Sequence, residues 1–447
     1  METNPRQHRM KRWMERYCQW NRVPVGKDTS LFARELAEQL GARLHMIPSG
    51  TECLTWIIPD QWTVHEAYIE TLDGHRIADF HSHPIRLQSY SAPFSGVVSR
   101  DQLLKHISVH PLYKDKLVYE SRWQFRPGSK TDWGFTLTQE EVNRLTEDQY
   151  RVHIDVEFSQ GTLDIVDWKL PGDAADTILL AAHTCHPGQV NDGLACIAVL
   201  IELFRALQRR TRRLYTYRLV LGPEYYAAAG LLHYGPGIEE IRYAIFLDMP
   251  GHSQPLSFSR SFRGNSYIDR ITRNVLKFSE PGYVEADYRG LYGNDEMFYD
   301  GPDFEIPTVG ICRRDYEHYH TNQDNLQNCD FNKLEETLAL LEQIIDVLES
   351  DCIPTRTYRG PLQLSRYHLY IDPLHDPKGY RSLQAAQILM NGQRSCLEIA
   401  EELEIDYRFV RSLVDQLKQK GLVTTRPVTS PVRIRPVRTV TIQGKIL

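Results

Sequence analysis

Apolar and polar positions follow two alternating periods along the chain from about residue 151. "DTILLAA" is a continuous apolar run, typical of a strand buried on both faces, and "LACIAVLIELFRALQRR" has the spacing of a helix. The same order recurs in "YTYRLVLGPE" and "YYAAAGLLHY", in "RYAIFLDMPG" and "SYIDRITRNVLKF", and in "IPTVGIC" and "DFNKLEETLALLEQIIDVLES". Strands that alternate with helices predict an α/β fold, with a doubly wound, mostly parallel sheet and helices on both of its faces.

The first 150 residues have a different pattern. Residues 1–50 are predicted to be a helical part of the α/β domain; within them "SLFARELAEQLG" has Ser30 as the expected N-cap and ends at Gly41. Residues 51–150 contain short alternating runs and turn signals such as Asp73-Gly74, which predict a small β-rich inserted domain. The α/β domain proper is then predicted to span residues 151–355.

Residues 378–447 form a separate predicted module. Three short helical patterns are followed by the β-like segments "TTRPV" and "VRIRPVRTVTI", an arrangement that predicts a winged helix. The module holds twelve bases and six acids, a net charge of +6, which leaves −12 for the rest of a chain whose formal charge is −6. Such an asymmetry favours a distinct unit.

Composition narrows the class of protein. The chain has 447 residues, 41% of them hydrophobic and 25% charged, as in globular proteins, and no apolar run approaches the length that spans a bilayer. The N-terminus lacks the apolar core of a signal peptide, and the eight cysteines are scattered, so we expect reduced thiols in a cytoplasmic protein. The net negative charge gives no support to a nucleic-acid or membrane role for the protein as a whole.

Histidines and carboxylates follow all four predicted strands of the α/β domain. They are His183, His186 and Asp192 after the first strand, Glu224 after the second, Asp248 after the third, and His318 and His320 after the fourth. The carboxyl ends of parallel strands meet at one edge, where ligands bind. Imidazole and carboxylate without paired cysteines are typical ligands of catalytic zinc or a similar first-row ion. Glu224 is the candidate base that accepts the proton of the metal-bound water.

Each of these residues also has a structural interpretation. His183 alone is more often a hydrogen-bonded turn residue, and His318 fits a solvated loop. Cys185 is a possible soft ligand but fits a small core residue. Asp248 suits a helix N-cap, and Glu224 an acid favoured by a helix dipole. The combination at one edge, rather than any single residue, therefore predicts the metal site.

The motifs resemble a known family. The order His186, Asp192, Glu224, Asp248, His320 resembles the zinc-dependent aminopeptidases related to glutamate carboxypeptidase and glutaminyl cyclase. The chain is most similar to the aminopeptidase-like proteins with a C-terminal winged helix, in "SGTE", "AYIETLDGHRIADF", "SYSAP", "DWGF", "CHPGQVND", Pro223-Glu224 and "YHTNQD". This resemblance covers nearly the whole chain.

The resemblance implies a site with one or two zinc ions that acts on a peptide or an amide-containing small molecule. His186, Asp192 and His320 would be ligands, and Asp192 would bridge the ions if there are two. Asp248 would bind the second ion, and Glu224 would be the general base or a ligand.

Two departures from the family pattern leave alternatives open. The aminopeptidases carry His-x-Asp after the first strand, whereas this chain has His183-Thr184-Cys185-His186, so either histidine can be the ligand. They also carry adjacent glutamates, one as base and one as ligand, whereas Glu224 is followed by Tyr225.

The sequence is compatible with three functions. The first is a metal-dependent hydrolase of amide bonds, with specificity from loops 251–265 and 281–300 and from the insertion. The second is a DNA-binding regulator that senses a small ligand, with Arg408 and Arg411 on the recognition helix of the tail. The third is a metal-dependent transferase or cyclase on the same fold. We favour the hydrolase, with a tail that docks a protein or a second copy of the chain, or that binds nucleic acid only weakly.

Overall fold

A computed structural model describes residues 5–121 and 132–428 of the chain. Its strands are β1 (Arg43–Pro48), β2 (Glu52–Cys53), β3 (Trp56–Ile57), β4 (Gln61–Thr71), β5 (Arg76–Asp79), β6 (Phe94–Ser99), β7 (Ile107–Ser108), β8 (Phe135–Thr136), β9 (Gln149–Ser159), β10 (Thr162–Leu170), β11 (Thr177–His183), β12 (Thr216–Gly222), β13 (Ile241–Asp248), β14 (Leu256–Ser259), β15 (Glu285–Ala286), β16 (Thr308–Arg313), β17 (Cys352–Arg356) and β18 (Val423–Pro427). Its α-helices are α1 (Pro5–Tyr17), α2 (Lys27–Leu40), α3 (Arg100–Leu104), α4 (Gln139–Asn143), α5 (Cys196–Gln208), α6 (Tyr226–Tyr234), α7 (Tyr267–Ser279), α8 (Glu296–Tyr299), α9 (Phe331–Ser350), α10 (Pro377–Leu389), α11 (Cys396–Glu402) and α12 (Tyr407–Gln419).

The largest sheet has eight strands in the order β1-β10-β12-β11-β13-β16-β14-β15. Strands β12, β11, β13 and β16 are parallel, whereas β10 runs antiparallel to β12 and β14 antiparallel to β16. The sheet is therefore mixed, and the predicted mostly parallel arrangement applies to its four central strands. Sequence analysis missed β14 and β15 because strands of four and two residues are too short to show a period.

The four central strands are buried on both faces. On β11, Ile178 and Leu180 face a core shared with α1, α5 and α9, while Leu179 and Ala181 face a second core shared with α6. This packing explains the continuous apolar run. The chain passes from β11 to β12 on one side and then to β13 on the other side of β11, so the crevice at their carboxyl ends is a topological switch point.

The β-rich region forms its own antiparallel sheet, in the order β5-β4-β9-β6. Strand β9 pairs with β4 over its length, from Tyr150 opposite Thr71 to Ser159 opposite Gln61. This sheet therefore extends to Ser159, beyond the boundary predicted at residue 150. The hydrophobic pattern assigns β9 to the α/β domain, because β10 follows it directly in the sequence. In the N-terminal part, α2 begins at Lys27 rather than after Ser30, and Gly41 ends it with a φ of 62°.

The described part of the tail consists of α10, α11, α12 and β18. It packs against α7, where Arg270 pairs with Glu401 and the Asn274 side chain donates to the Ile405 carbonyl at 3.1 Å. Strand β18 pairs with β17, which precedes the predicted module. The predicted segment "VRIRPVRTVTI" lies outside the described residues, and the winged helix stays a prediction.

Across residues 5–121 and 132–428, none of the helices combines the length and the apolar character needed to cross a bilayer.

Candidate metal centre

The structure brings the predicted ligands of three strands together at the switch point. His183 is the last residue of β11 and Asp248 the last of β13, and both are buried. His183 Nε2 lies 3.3 Å from Asp248 Oδ1 and 3.1 Å from Asp192 Oδ1. These three residues form one group whose ligand atoms all lie within 4.8 Å of one another.

A second group shares Asp192 with the first. It consists of His186, Asp192 and His320, again with ligand atoms within 4.8 Å of one another. His320 Nε2 lies 3.2 Å from Asp192 Oδ2, and His186 Nδ1 lies 3.9 Å from Asp192 Oδ1. Oδ1 of Asp192 therefore lies near His183 and His186, and Oδ2 lies near His320, so this one carboxylate contacts histidines of both groups.

A third group contains the thiol noted in the sequence. His183, Cys185 and His186 bring their ligand atoms within 4.8 Å, and His183 Nδ1 lies 3.1 Å from His186 Nδ1. The Cys185 sulfur accepts the backbone N–H of Glu224 at 3.2 Å and is fully buried. Its contact with the turn after β12 gives it a packing role beneath the other two groups.

The donor spacing fits a first-row divalent ion. Zn–N and Zn–O bonds of about 2.0–2.1 Å in a tetrahedron place neighbouring ligand atoms about 3.3 Å apart. The separations of 3.1 Å (His183–Asp192), 3.2 Å (His320–Asp192) and 3.3 Å (His183–Asp248) match that value. Asp192 Oδ2 is also buried, with His320 Nε2 3.2 Å away but no well-aligned hydrogen bond, and a buried carboxylate oxygen needs a partner. The residues present therefore fit a metal.

The local backbone conformation sets the orientation of these side chains. Asp192 lies in a single π-turn, Asn191–Ala195, in which Gly193 has a φ of 115° that favours glycine. His186 and His320 have φ values of 91° and 54°, which are uncommon for residues with a side chain. Strained residues of this kind cluster at functional sites, where the surrounding structure holds them in place.

Asp324 connects the two loops that carry the second group. Its carboxylate accepts the backbone N–H groups of Asn191 at 2.7 Å and of Asp192 at 2.9 Å, and Tyr316 donates its hydroxyl to it at 3.0 Å. Sequence analysis noted Asp324 only as the last letter of "YHTNQD". Its role depends on a contact across more than 130 positions, which no local pattern reveals.

The β-rich region forms a wall of the site. Val118 bridges to Thr321, and the Tyr119 N–H donates to the His320 carbonyl at 2.7 Å. The Tyr119 ring lies edge-on to His186 and His320, with centroid distances of 5.2 and 5.1 Å. Sequence analysis missed Tyr119, because nothing in the local pattern indicates that this segment contacts the loop that carries His320.

Glu224 follows Pro223 in the turn after β12, and its Oε2 lies 3.7 Å from His186 Nε2. Burial is the main cause that raises the pKa of Glu224 to about 8; the nearby His183 opposes the shift and the Asp295 carboxylate reinforces it. A bound cation would oppose this effect, because it favours the charged carboxylate. Several other carboxylates are buried beside it, which leaves a local excess of negative charge that a divalent ion would balance. These neighbours are Asp192, Asp248, Asp295 and Asp324.

A cavity of about 300 Å³ opens over the cluster. Its lining includes His186, Asp192, Glu224, Asp248, Met249, Tyr292, Gly293, Asn294, Arg314, Asp315, Tyr316 and Tyr319. Loop 281–300 therefore contributes to the lining as expected, whereas loop 251–265 does not. The volume is at the lower end for small-molecule sites, so it suits a single residue or a small acyl group.

A buried arginine supports the loop between His183 and Asp192. The Arg22 guanidinium is inaccessible to solvent and donates to the carbonyls of Thr184 at 3.2 Å, His186 at 3.0 Å and Gln189. Burial lowers the pKa of Arg22 to about 10, so it stays protonated at neutral pH. Asp324 and Asp192 are among its charged neighbours.

We expect Arg22→Met to lower the free energy of unfolding by about 3 kcal/mol or more. The substitution leaves three buried carbonyls without a donor, each at a cost of about 1–3 kcal/mol. Urea denaturation followed by circular dichroism measures the change. Arg22→Lys keeps a charge but supplies fewer aligned donors, so its free energy of unfolding should lie between those of the wild type and Arg22→Met. An Arg22→Met protein as stable as the wild type would contradict a supporting role for this residue.

Comparison with known proteins identifies a matching family model and proteins of similar fold. Residues 11–351 match the family model described as a domain of unknown function (DUF4910). The chain is 26% identical over 402 residues to a Clostridium acetobutylicum protein named as a candidate polysaccharide biosynthesis protein with an aminopeptidase-like domain, covering 87% of this chain and 89% of that protein. The crystal structure of a candidate peptidase from Clostridium acetobutylicum superposes with a TM-score of 0.84 at 23% identity, over 94% of this chain and 96% of that one.

More distant structures share the same core. A zinc aminopeptidase from Bacillus subtilis has a TM-score of 0.53 at 13% identity, over 77% of this chain and 94% of its own. An M28 peptidase precursor from Shewanella amazonensis has a TM-score of 0.52 at 14% identity, over 76% and 92%. The chain is therefore aminopeptidase-like in fold, with a large mixed sheet in common with these peptidases.

Proposed function

The chain belongs to the DUF4910 family, a domain of unknown function, and we propose that it is a metal-dependent hydrolase of amide or peptide bonds. The observation that carries the proposal is that Asp192 belongs to two groups of ligands and lies in the lining of a cavity. The aminopeptidase-like fold supports it. The small cavity favours hydrolysis at the end of a peptide or in a small amide over cleavage within a long chain.

We further propose two metal positions that share Asp192. His183, Asp192 and Asp248 would hold one ion, and His186, Asp192 and His320 the other. His186 would then supply the ligand that the resembling aminopeptidases take from a second glutamate, for which this chain has Tyr225. The choice left open between the two histidines is thereby replaced by a role for each. Zinc suits the histidine and carboxylate donors.

The bound metal would lower the pKa of a coordinated water and polarise the substrate carbonyl. Glu224 lines the cavity beside His186 and is not needed as a ligand in this arrangement. Its carboxylate would accept a proton at Oε2 and return it to the leaving amine. Burial around the cluster excludes bulk water, which strengthens these electrostatic contacts.

Metal analysis of the purified chain tests this proposal. We expect about two zinc ions per chain by elemental analysis, and His320→Ala should lose at least one of them. His318→Ala is the matched control, because His318 lies two positions away and contacts Lys116 rather than Asp192. A protein that neither contains nor takes up metal, or a His320→Ala variant with unchanged metal content, would disprove the site.

Product analysis separates hydrolysis from transfer. Aminoacyl anilides and small N-acyl amides are suitable first substrates, since both present one residue or one acyl group to the cavity. Release of the free acid supports hydrolysis. A cyclic or transferred product would instead favour the transferase or cyclase function on the same fold.

A further inference from the structure

Two buried thiols meet where the tail contacts the end of α9. Cys352 is the first residue of β17, just after α9, and Cys396 is the first residue of α11 in the tail. Their sulfur atoms lie 3.7 Å apart, although the residues are 44 positions apart in the chain. All eight cysteines lie among the described residues, and no other two of them form such a contact. The pair therefore connects the tail to the α/β domain.

The backbone around the two cysteines is close enough for a covalent bond. Asp351 Oδ1 accepts the N–H of Cys352 at 3.0 Å and the N–H of Leu397, the residue after Cys396, at 3.1 Å. One oxygen atom thus holds both segments together. A disulfide needs Cα atoms about 4.4–6.8 Å apart and sulfur atoms about 2.0 Å apart. Rotation of the two side chains, without separation or approach of the segments, is therefore the change that we expect bond formation to require.

Cys352 is the more reactive of the two thiols. Arg411 Nη1 lies 2.9 Å from its sulfur and also donates to the Ser350 carbonyl at 2.8 Å, which fixes the guanidinium. The hydrogen bond from Cys396 and the Arg411 charge lower the pKa of Cys352, although burial and the Asp351 carboxylate oppose them. The same hydrogen bond and burial raise the pKa of Cys396, which keeps its proton. A thiolate beside a guanidinium is the form of cysteine that oxidants attack.

Exposure gives the two cysteines the same order. Cys352 is 7% exposed, whereas Cys396 is inaccessible to solvent. A small oxidant therefore meets Cys352 first, and Cys396 waits behind it as the second thiol. A low-pKa cysteine next to a second cysteine is typical of thiols that are oxidised reversibly.

We propose that Cys352 and Cys396 are a modification site, at which a hydroperoxide forms a disulfide that ties the tail to the α/β domain, independently of the amide chemistry. The Cys352 thiolate attacks a peroxide oxygen, so that an S–O bond forms and the O–O bond breaks. The departing alkoxide or hydroxide takes a proton from solvent, and Cys352 is left as a sulfenic acid. The Cys396 sulfur then attacks the Cys352 sulfur, the S–S bond forms, and hydroxide leaves with the Cys396 proton as water. Two electrons pass from the thiols to the peroxide.

Peptide mapping of the full-length protein tests the proposal. The protein is treated with hydrogen peroxide, alkylated, digested without reduction and analysed by mass spectrometry. We expect a linked pair of peptides that contain Cys352 and Cys396, which dithiothreitol separates again. Cys18 is the comparison within the same sample, because it is also 7% exposed but burial raises its pKa. It should stay reduced under conditions in which Cys352 reacts.

Three variants separate the steps. Cys396→Ser should stop at the sulfenic acid, which dimedone captures on Cys352, and Cys352→Ser should leave Cys396 reduced. Arg411→Met should slow the formation of the bond about 3-fold or more, because a higher pKa lowers the thiolate fraction more than it raises the nucleophilicity of the thiolate. Cys18→Ser is the matched control and should form the bond at the wild-type rate.

The bond should also make the protein harder to unfold. It closes a loop of 44 positions and so restricts the unfolded chain, which should raise the midpoint of thermal unfolding by about 3 °C or more. An oxidised protein with the bond and an unchanged midpoint would contradict the tether. Reduced Cys352 and Cys396 after peroxide treatment, oxidation of Cys18 as fast as Cys352, or a bond between two chains would overturn the proposal. The wild-type sample alone gives these results, so they do not depend on how the variants fold.

Discussion

Glu224→Gln is expected to reduce amide hydrolysis by at least about 10²–10⁴-fold while the metal content stays at the wild-type level. The substitution keeps the size and shape of the side chain but removes the group that accepts the proton. Glu224 is not needed in either Asp192-containing group of ligands, and its carboxylate lies 3.7 Å from His186 Nε2. Steady-state kinetics, with elemental analysis of the same sample, gives both values.

Glu239→Gln is the control for this experiment, because Glu239 is an exposed glutamate in the turn before β13. It should leave both the rate and the metal content unchanged. If Glu224→Gln loses a metal ion, Glu224 is a ligand and the role of general base belongs to another residue. If Glu224→Gln keeps full activity, Glu224 is neither a metal ligand nor the general base.

Asp192→Asn should remove both metal ions, whereas His183→Ala and His186→Ala should each reduce the stoichiometry from about two ions to about one. Asp192 is the only described residue common to both cavity-side groups, and an amide cannot bridge two cations as a carboxylate does. Loss of an outer-shell partner already costs about 10–100-fold in metal affinity, so loss of the shared ligand should cost more. Competition with a coloured chelator measures the affinity of each variant.

Asp303→Asn is the matched control, because Asp303 is exposed and its φ of 70° is tolerated by asparagine. It should keep about two ions. Retention of one ion by Asp192→Asn would mean that the two positions do not share this carboxylate. Equal loss of both ions in His183→Ala and His186→Ala would indicate a single position bound by both histidines.

The central strands and their final residues were predictable because their signals are local. The apolar run of β11, the helical spacing of α5 and the placement of Glu224 after Pro223 all follow from periods of a few residues. The rule that ligands collect at the carboxyl edge then grouped His186, Asp192, Asp248 and His320 without knowledge of any distance. The same local reasoning failed for β14 and for the pairing of β9, since neither has a distinctive pattern.

The sequence by itself determined the α/β class, the four central strands and the set of histidines and carboxylates at one edge of the sheet. Only the tertiary structure decided how His183 and His186 lie around Asp192, and that Arg22, Tyr119 and Asp324 hold those loops in place. The physical reason is that donor spacing within a few tenths of an ångström depends on contacts between distant segments. Hydrophobic periodicity indicates which side of a helix or strand is buried, but it does not indicate which loops are in contact.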